Sequence, residues 1–262
     1  MMKKTILFFS GLILYSISLI AIAHTTITAA GVEGTTLYTA DVINHGCESG
    51  VKSKLPVIAE SMVFPNGSDA VATVLPSSEV GAFTATTPGQ PIDITSVITG
   101  GALTIVPTGM QDKNLFDIHE VQTDANGNVR GFHYSNSDTT PQGQDGELQL
   151  DLVGTIPFRL AGVSFQPTSC ATQLNIRIGI VDWCTHKTGN RRNNIWIGNT
   201  TPTFNQTDRI ATGTLGFWPT LIITRDLKNN PLPSSCGDGQ VVAIQPSDDA
   251  IDTYLPMDGF TP

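Results

Sequence analysis

A histidine stands where an export peptidase would leave a new chain start. Residues 1–23 have the layout of a secretory signal: Lys3 and Lys4 form a positive n-region, an apolar run extends from Thr5 to Ile22, and Ala21-Ile22-Ala23 is an A-x-A cleavage site. Cutting after Ala23 makes His24 the first residue of the mature chain. A terminal histidine offers two nitrogens to one ion, the α-amine and the ring Nδ1. Together they close a chelate ring suited to Cu(II), which favours tetragonal N,O ligation. The amine titrates at about pH 8, so a metal displaces its proton near neutrality. Without a metal the same histidine is only a solvated terminus, so a third donor is needed. Glu33 is the nearest acidic residue, and a turn at Gly31 would fold its carboxylate back to the terminus. Its ordinary alternative is an exposed position at a strand edge.

Two further clusters have metal-ligand or disulfide chemistry. In Asn44-His45-Gly46-Cys47-Glu48 a histidine lies two residues before a cysteine. The same residues suit a turn beside a disulfide, with Gly46 at positive φ. Trp183-Cys184-Thr185-His186 is followed by a basic loop through Lys187, Arg191 and Arg192 to Trp196. The loop reads as a solvated hairpin tip, and Trp183 and Trp196 as core or sheet-face aromatics. Cys47, Cys170, Cys184 and Cys236 are an even set in an exported chain, which implies two disulfides with three connectivities open. There is no CxxC, HExxH, Ser-His-Asp pattern or phosphate-cradling glycine loop, so thioredoxin, zinc-hydrolase and nucleotide chemistry have no support.

The elements that must position these residues are short strands. Candidates include Thr25–Thr28, Thr36–Ile43, Lys54–Met62, Ala70–Leu75, Leu103–Val106, Leu115–Gln122, Val129–Tyr134, Leu148–Leu152, Phe158–Phe165, Leu174–Val181, Asn194–Ile197, Leu215–Thr224 and Gln240–Ala243. Several alternate apolar and polar residues, as in Leu148-Gln149-Leu150-Asp151-Leu152. Asp124-Ala125-Asn126-Gly127-Asn128 between two runs predicts a hairpin turn; it lacks the spacing and final glutamate of a calcium loop. No long amphipathic helix is evident, and no repeat. Frequent turns between short strands predict an all-β sandwich or barrel. The expected layout is one β domain over 24–245, with residues 77–145 as an insertion, and a loosely ordered acidic tail over 246–262.

The chain carries 23 acidic against 14 basic residues, a net charge of −9, and becomes more negative once Lys3 and Lys4 leave with the signal. That balance argues against nucleic acid and anionic membranes as partners. The apolar run at the start is marginal for spanning a bilayer, and its small-residue site argues for removal, so no stable membrane insertion is expected of the mature chain. The low charged fraction, 14%, with abundant small polar residues, suits a periplasmic or secreted β-protein.

In order along the chain, these features resemble the YcnI-like family of extracytoplasmic copper-binding proteins. The residues that carry the resemblance are His24 at the cleavage site, Gly34 opening a strand, His45-Gly46-Cys47, Gly154–Phe165, Ile180-Val181-Asp182-Trp183-Cys184, Ile195-Trp196-Ile197-Gly198 and Thr201-Pro202. The resemblance covers about two thirds of the mature chain, in patches. It implies an immunoglobulin-like β-sandwich with insertions that holds Cu(II) in a single-histidine brace. In that arrangement His24 gives two nitrogens, a carboxylate completes the site, and Trp196 lies over the ion, where its ring face attracts a cation. It also implies the pairings Cys47–Cys184 and Cys170–Cys236. The chain departs from the pattern at Gly31, where the family carries its acidic ligand, so Glu33 is the substitute. It departs again at Asn44, where the family has proline.

Three functional classes follow. The first is a non-enzymatic copper protein acting in storage, delivery or tolerance, with copper donor or acceptor proteins as partners. The second is a copper-dependent polysaccharide monooxygenase, which needs a second histidine on the ion from among His45, His119, His133 and His186. The third is a metal-free structural or adhesive β-module.

Overall fold

The structure, a computed structural model, describes residues 25–44, 46–49, 53–76, 89–111, 115–136, 148, 150, 152–184, 193–205 and 218–260. These residues are almost all strand and loop, as the sequence predicts. One sheet runs β1 (Thr26–Ile27), β3 (Leu37–Ile43), β12 (Gly154–Leu160), β9 (Pro107–Gly109). A second runs β10 (Ile118–Thr123), β11 (Val129–Ser135), β6 (Ala59–Val63), β14 (Gly179–Trp183), β15 (Asn193–Trp196). A third runs β2 (Ala30–Val32), β16 (Thr220–Thr224), β13 (Ala171–Arg177), β17 (Gln240–Gln245), β7 (Val71–Val74), β8 (Gln90–Pro91). β4 (Cys47–Ser49) and β5 (Ser53–Leu55) make a small ribbon. Pairing is antiparallel except β13 with β17 and β16 with β2.

The three sheets share one core. Phe64 stands edge-on to Phe132 of the second sheet and Phe158 of the first, with ring centroids 5.6 and 5.4 Å away. β3 and β12 alternate buried and more exposed positions, the signature of strands with one covered face. β6 and β14, at the centre of the second sheet, are buried at every position. Their inner side chains meet the common core, and their outer ones meet α1 (Asp248–Tyr254).

That helix corrects the expected loose tail. Ser247 caps it by accepting from the Ala250 N–H at 3.0 Å, and Asp248 and Asp249 sit in its first turn, where the helix dipole favours negative charge. Ile251 and Leu255, four residues apart, bury against Trp183, Val181 and Ile197. The acidic composition masked a short amphipathic stripe.

The region 77–145 is likewise no separate insertion where it is described. Residues 89–136 supply β8, β9, β10 and β11 to the three sheets; residues 77–88 and 137–147 lie outside the described residues. Leu103–Val106 is not a strand: Ala102–Thr104 forms a 3-10 turn. Of the run Leu148–Leu152, residues 149 and 151 lie outside the described residues, and Leu148 makes an isolated bridge to Val57. The long run Leu174–Val181 breaks at Ile178, where the chain leaves the third sheet and enters the second. Gly179 is needed there because a Cβ would sit 2.8 Å from Val63. The Asp124–Asn128 turn forms as expected. The Asp124 carboxylate accepts from the Asn126 and Asn128 N–H groups, and Gly127 takes φ +80°. Among the described residues no helix is long and apolar enough to cross a membrane.

Candidate metal centre

Register places three carboxylates together. Across the second sheet, Glu60 of β6 pairs with Asp182 of β14 on one side and Tyr134 of β11 on the other. Asp182 in turn pairs with Asn194 of β15, and Tyr134 with His119 of β10. Directly opposed residues share a face, so these five form a polar row on the inner side of the sheet. Asp41, on the covered face of β3, meets the row from the first sheet. Carboxylate oxygens of Asp41, Glu60 and Asp182 all lie within 4.8 Å of one another, and the three residues are at most 1% exposed.

The surroundings satisfy part of this cluster. Thr25 donates its hydroxyl to Asp41 Oδ2 at 2.6 Å, and its Oγ1 also lies 2.9 Å from the Val42 carbonyl. The Trp196 indole N–H donates to Asp182 Oδ2 at 2.7 Å, and the Asn194 amide reaches the same oxygen at 3.3 Å. Asp41 Oδ1 and both oxygens of Glu60 are buried with no hydrogen-bond donor among the described residues. The ion pair found among those residues, Arg130 with Asp69, lies elsewhere. Burial, then the charge of Asp182, drives the Asp41 carboxyl well above its ordinary range. Burial, then Asp41 and Asp182, does the same to Glu60. Three such groups in a low-dielectric interior cannot all be ionised unless a cation joins them. Without one, a proton held on Glu60 and shared with Asp41 lowers the repulsion.

The disulfide Cys47–Cys184 closes one end of the site, and Cys170–Cys236 is the other bridge, so both pairings implied by the family resemblance are present. With its cysteines 137 positions apart in the chain, the first removes roughly 5 kcal/mol of unfolded-chain entropy in the loop-closure account. It ties the chain after β3 to the residue after Trp183, so Asp41 and Asp182 are held from two sheets at once. Gly46 does not take positive φ. Its role is a close pass, since a Cβ would lie 2.0 Å from the Leu55 carbonyl oxygen.

His24 lies outside the described residues; its covalent neighbour Thr25 is the buried residue bonded to Asp41. Trp196 is a partly buried sheet aromatic whose ring packs against the common core. Trp183 points to the opposite face, where its N–H donates to Ser61 Oγ at 3.0 Å.

Glu33 is the correction. Its oxygens accept from the Phe165 N–H at 2.9 Å, the Asp226 N–H at 2.8 Å and the Asn230 amide at 3.1 and 3.2 Å. It is not an exposed edge residue, and both its oxygens are already taken by donors. Thr25 lies at the Ile43 end of β3, while Gly34, next to Glu33, bonds to Val163 beyond the Leu37 end. The length of β3 separates them, about 20 Å at the usual strand rise.

The candidate second histidines are also committed. His133 is buried, with Nδ1 at the Gln122 amide and Nε2 2.8 Å from the Tyr254 carbonyl at the end of α1. Burial lowers its pKa. His119 sits edge-on to Tyr134, with Nε2 3.2 Å from the Phe116 carbonyl. His45, His186 and the basic loop at 187–192 lie outside the described residues.

The triad was missed at the sequence level, although a signal for it exists. Ala-Glu-Ser-Met-Val and Gly-Ile-Val-Asp-Trp each hold one acid inside a mostly apolar strand run. Strands buried on both faces have no solvent side for such a residue to use.

No family model and no curated protein sequence matches this chain. A structural comparison finds similarity to the crystal structure of an uncharacterized protein from Nocardia farcinica, described as revealing an immunoglobulin-like fold. It has 12% identity, spans 77% of this chain and 99% of the other, and has a TM-score of 0.36.

Proposed function

We propose that the chain is an exported Cu(II)-binding protein, acting in copper storage, delivery or tolerance. The ion is held by the amine and imidazole of a mature N-terminal His24, and its carboxylate comes from Asp41 rather than Glu33. The observation that carries this reading is that Thr25 and Trp196 both bond to one buried carboxylate cluster. The residue adjoining the expected chain start and the indole expected over the ion therefore converge on the same place. Asp41 Oδ1 has no donor from outside the acid cluster among the described residues, so a metal would take the place of the proton shared with Glu60 and leave the Thr25 bond intact. Copper bound by two nitrogens and a carboxylate oxygen would have a tetragonal N,O set. The two disulfides agree with an oxidising compartment, periplasmic or extracellular.

The copper monooxygenase reading needs a second histidine, and both described candidates have a ring nitrogen bonded to a backbone carbonyl. The test is Cu(II) titration, by a competing chelator and by electron paramagnetic resonance, of protein beginning at His24. The variant His24→Ala keeps the terminal amine but removes the imidazole that closes the chelate ring. It is expected to bind Cu(II) at least about 100-fold more weakly, roughly 3 kcal/mol. Equal affinity in the two proteins overturns the brace.

A further inference from the structure

The triad has more donors than a histidine brace requires. Such a brace takes one carboxylate, whereas the fold brings three into the interior. Glu60, fully buried at the centre of the polar row, has two oxygens with no hydrogen-bond donor among the described residues. We infer that Asp41, Glu60 and Asp182 form a cation site in their own right, which takes an oxygen-preferring divalent ion such as Ca²⁺ or Mn²⁺ without any nitrogen from His24.

Three observations beyond the clustering of acids support it. The first is the orphaned state of Glu60, since a fully buried carboxylate with neither donor nor counter-ion is costly. The second is span. Oxygens within 4.8 Å of one another fit around one ion at metal–oxygen distances of about 2.4 Å, the range of Ca²⁺. The third is the outer support. Thr25 and Trp196 donate to outer oxygens of Asp41 and Asp182 and orient both groups, as partners of metal ligands do. An all-oxygen donor set selects hard cations over soft ones. Entry would lie between β1 and β15, the edge strands of the two sheets that build the triad.

The inference stands apart from the copper reading, and its test uses protein in which the brace is disabled. Full-length mature chain carrying His24→Ala is freed of metal with a chelator. It is then titrated with Mn²⁺, followed by electron paramagnetic resonance, and with Tb³⁺, followed by luminescence sensitised through Trp196. One equivalent of Mn²⁺ is expected to bind, and Ca²⁺ is expected to displace Tb³⁺. Glu60→Gln, which keeps the shape, is expected to weaken Mn²⁺ at least about tenfold, as is Asp41→Asn. Trp196→Phe is expected to reduce terbium luminescence with a smaller effect on Mn²⁺. Glu33→Gln serves as a control that leaves Mn²⁺ affinity unchanged. No stoichiometric Mn²⁺ binding, or binding indifferent to Glu60→Gln and Asp41→Asn, overturns the inference and leaves a proton-sharing triad. Failure of the brace is a different result: equal Cu(II) affinity in the wild-type chain and in His24→Ala.

Discussion

Glu33 and Glu60 are both drawn into the fold, and the fold treats them oppositely. Glu33 lies against the third sheet among donors: two backbone N–H groups and the Asn230 amide converge on its oxygens. Nearby, Arg225 donates to the carbonyls of Ser169, Ala171 and Pro167, and the Cys170–Cys236 bridge closes the same end. Glu60 lies between two sheets among acids, beside the Cys47–Cys184 bridge, with no donor among the described residues. A saturated carboxylate is a staple holding loops together. An unsaturated one in company with two others is an arrangement that repels itself and is relieved by a cation. Fold stability at the first and ligand chemistry at the second are the expected division of labour.

The largest expected effect separates the two bridges. Replacing either cysteine pair by serine should cost about 2–5 kcal/mol of stability, measured by denaturant unfolding. Only the Cys47→Ser/Cys184→Ser protein should also weaken cation binding, because only that bridge holds the strands bearing Asp41 and Asp182. Equal loss of binding in both would erase the distinction.

Next comes Glu33→Ala, which strips charged acceptors from two backbone N–H groups and an amide. A loss of about 3–4 kcal/mol is expected in the metal-free protein, with cation affinity retained in the folded fraction. A change below about 1 kcal/mol would show that Glu33 is not the staple its geometry indicates.

Glu60→Gln should go the other way. In metal-free protein near neutral pH the amide removes one acid and donates to Asp41, so stability should rise by about 1–2 kcal/mol. A fall of similar size would mean that Glu60 is already satisfied.

The smallest effect is a slope. Folding raises the pKa of Asp41 and Glu60 by burial and by their acidic neighbours. The folded state therefore holds more protons than the unfolded chain, and this contribution is fully present below the ordinary carboxyl range. It is lost as pH rises through the raised folded values. His133, lowered by burial, has the opposite sign: its contribution is present above about pH 6.5 and is lost as pH falls through its folded value. Because His133 is common to both proteins, the difference between wild type and Glu60→Gln isolates the triad. Metal-free wild type should lose stability relative to the variant as pH rises from about 4.5 towards neutrality. A pH-independent difference would contradict the raised pKa of Glu60.

The sequence made one half of this comparison legible and hid the other. Alternation in Thr36–Ile43, the Asn-Gly turn before Val129 and the even cysteine count are local signals, and each has its counterpart in the structure. Glu33 was visible as an acid near the terminus. Its true partners, Phe165, Asp226 and Asn230, lie more than 130 residues away and leave no local trace. Asp41, Glu60 and Asp182 meet only through the pairing of β6 with β14 and the packing of β3 across them, relations that short-range periodicity does not encode. The tail shows the reverse error. Four aspartates suggested solvent, while the spacing of Ile251 and Leu255 was the physically decisive feature.

The most direct test is an anomalous-scattering map at the copper edge from crystals of copper-loaded protein beginning at His24. The account predicts a single peak bonded to the His24 amine and imidazole and to Asp41, with the Trp196 indole beside it. A peak at Glu33, or a peak at the terminus with Asp41 still bonded only to Thr25, would contradict it.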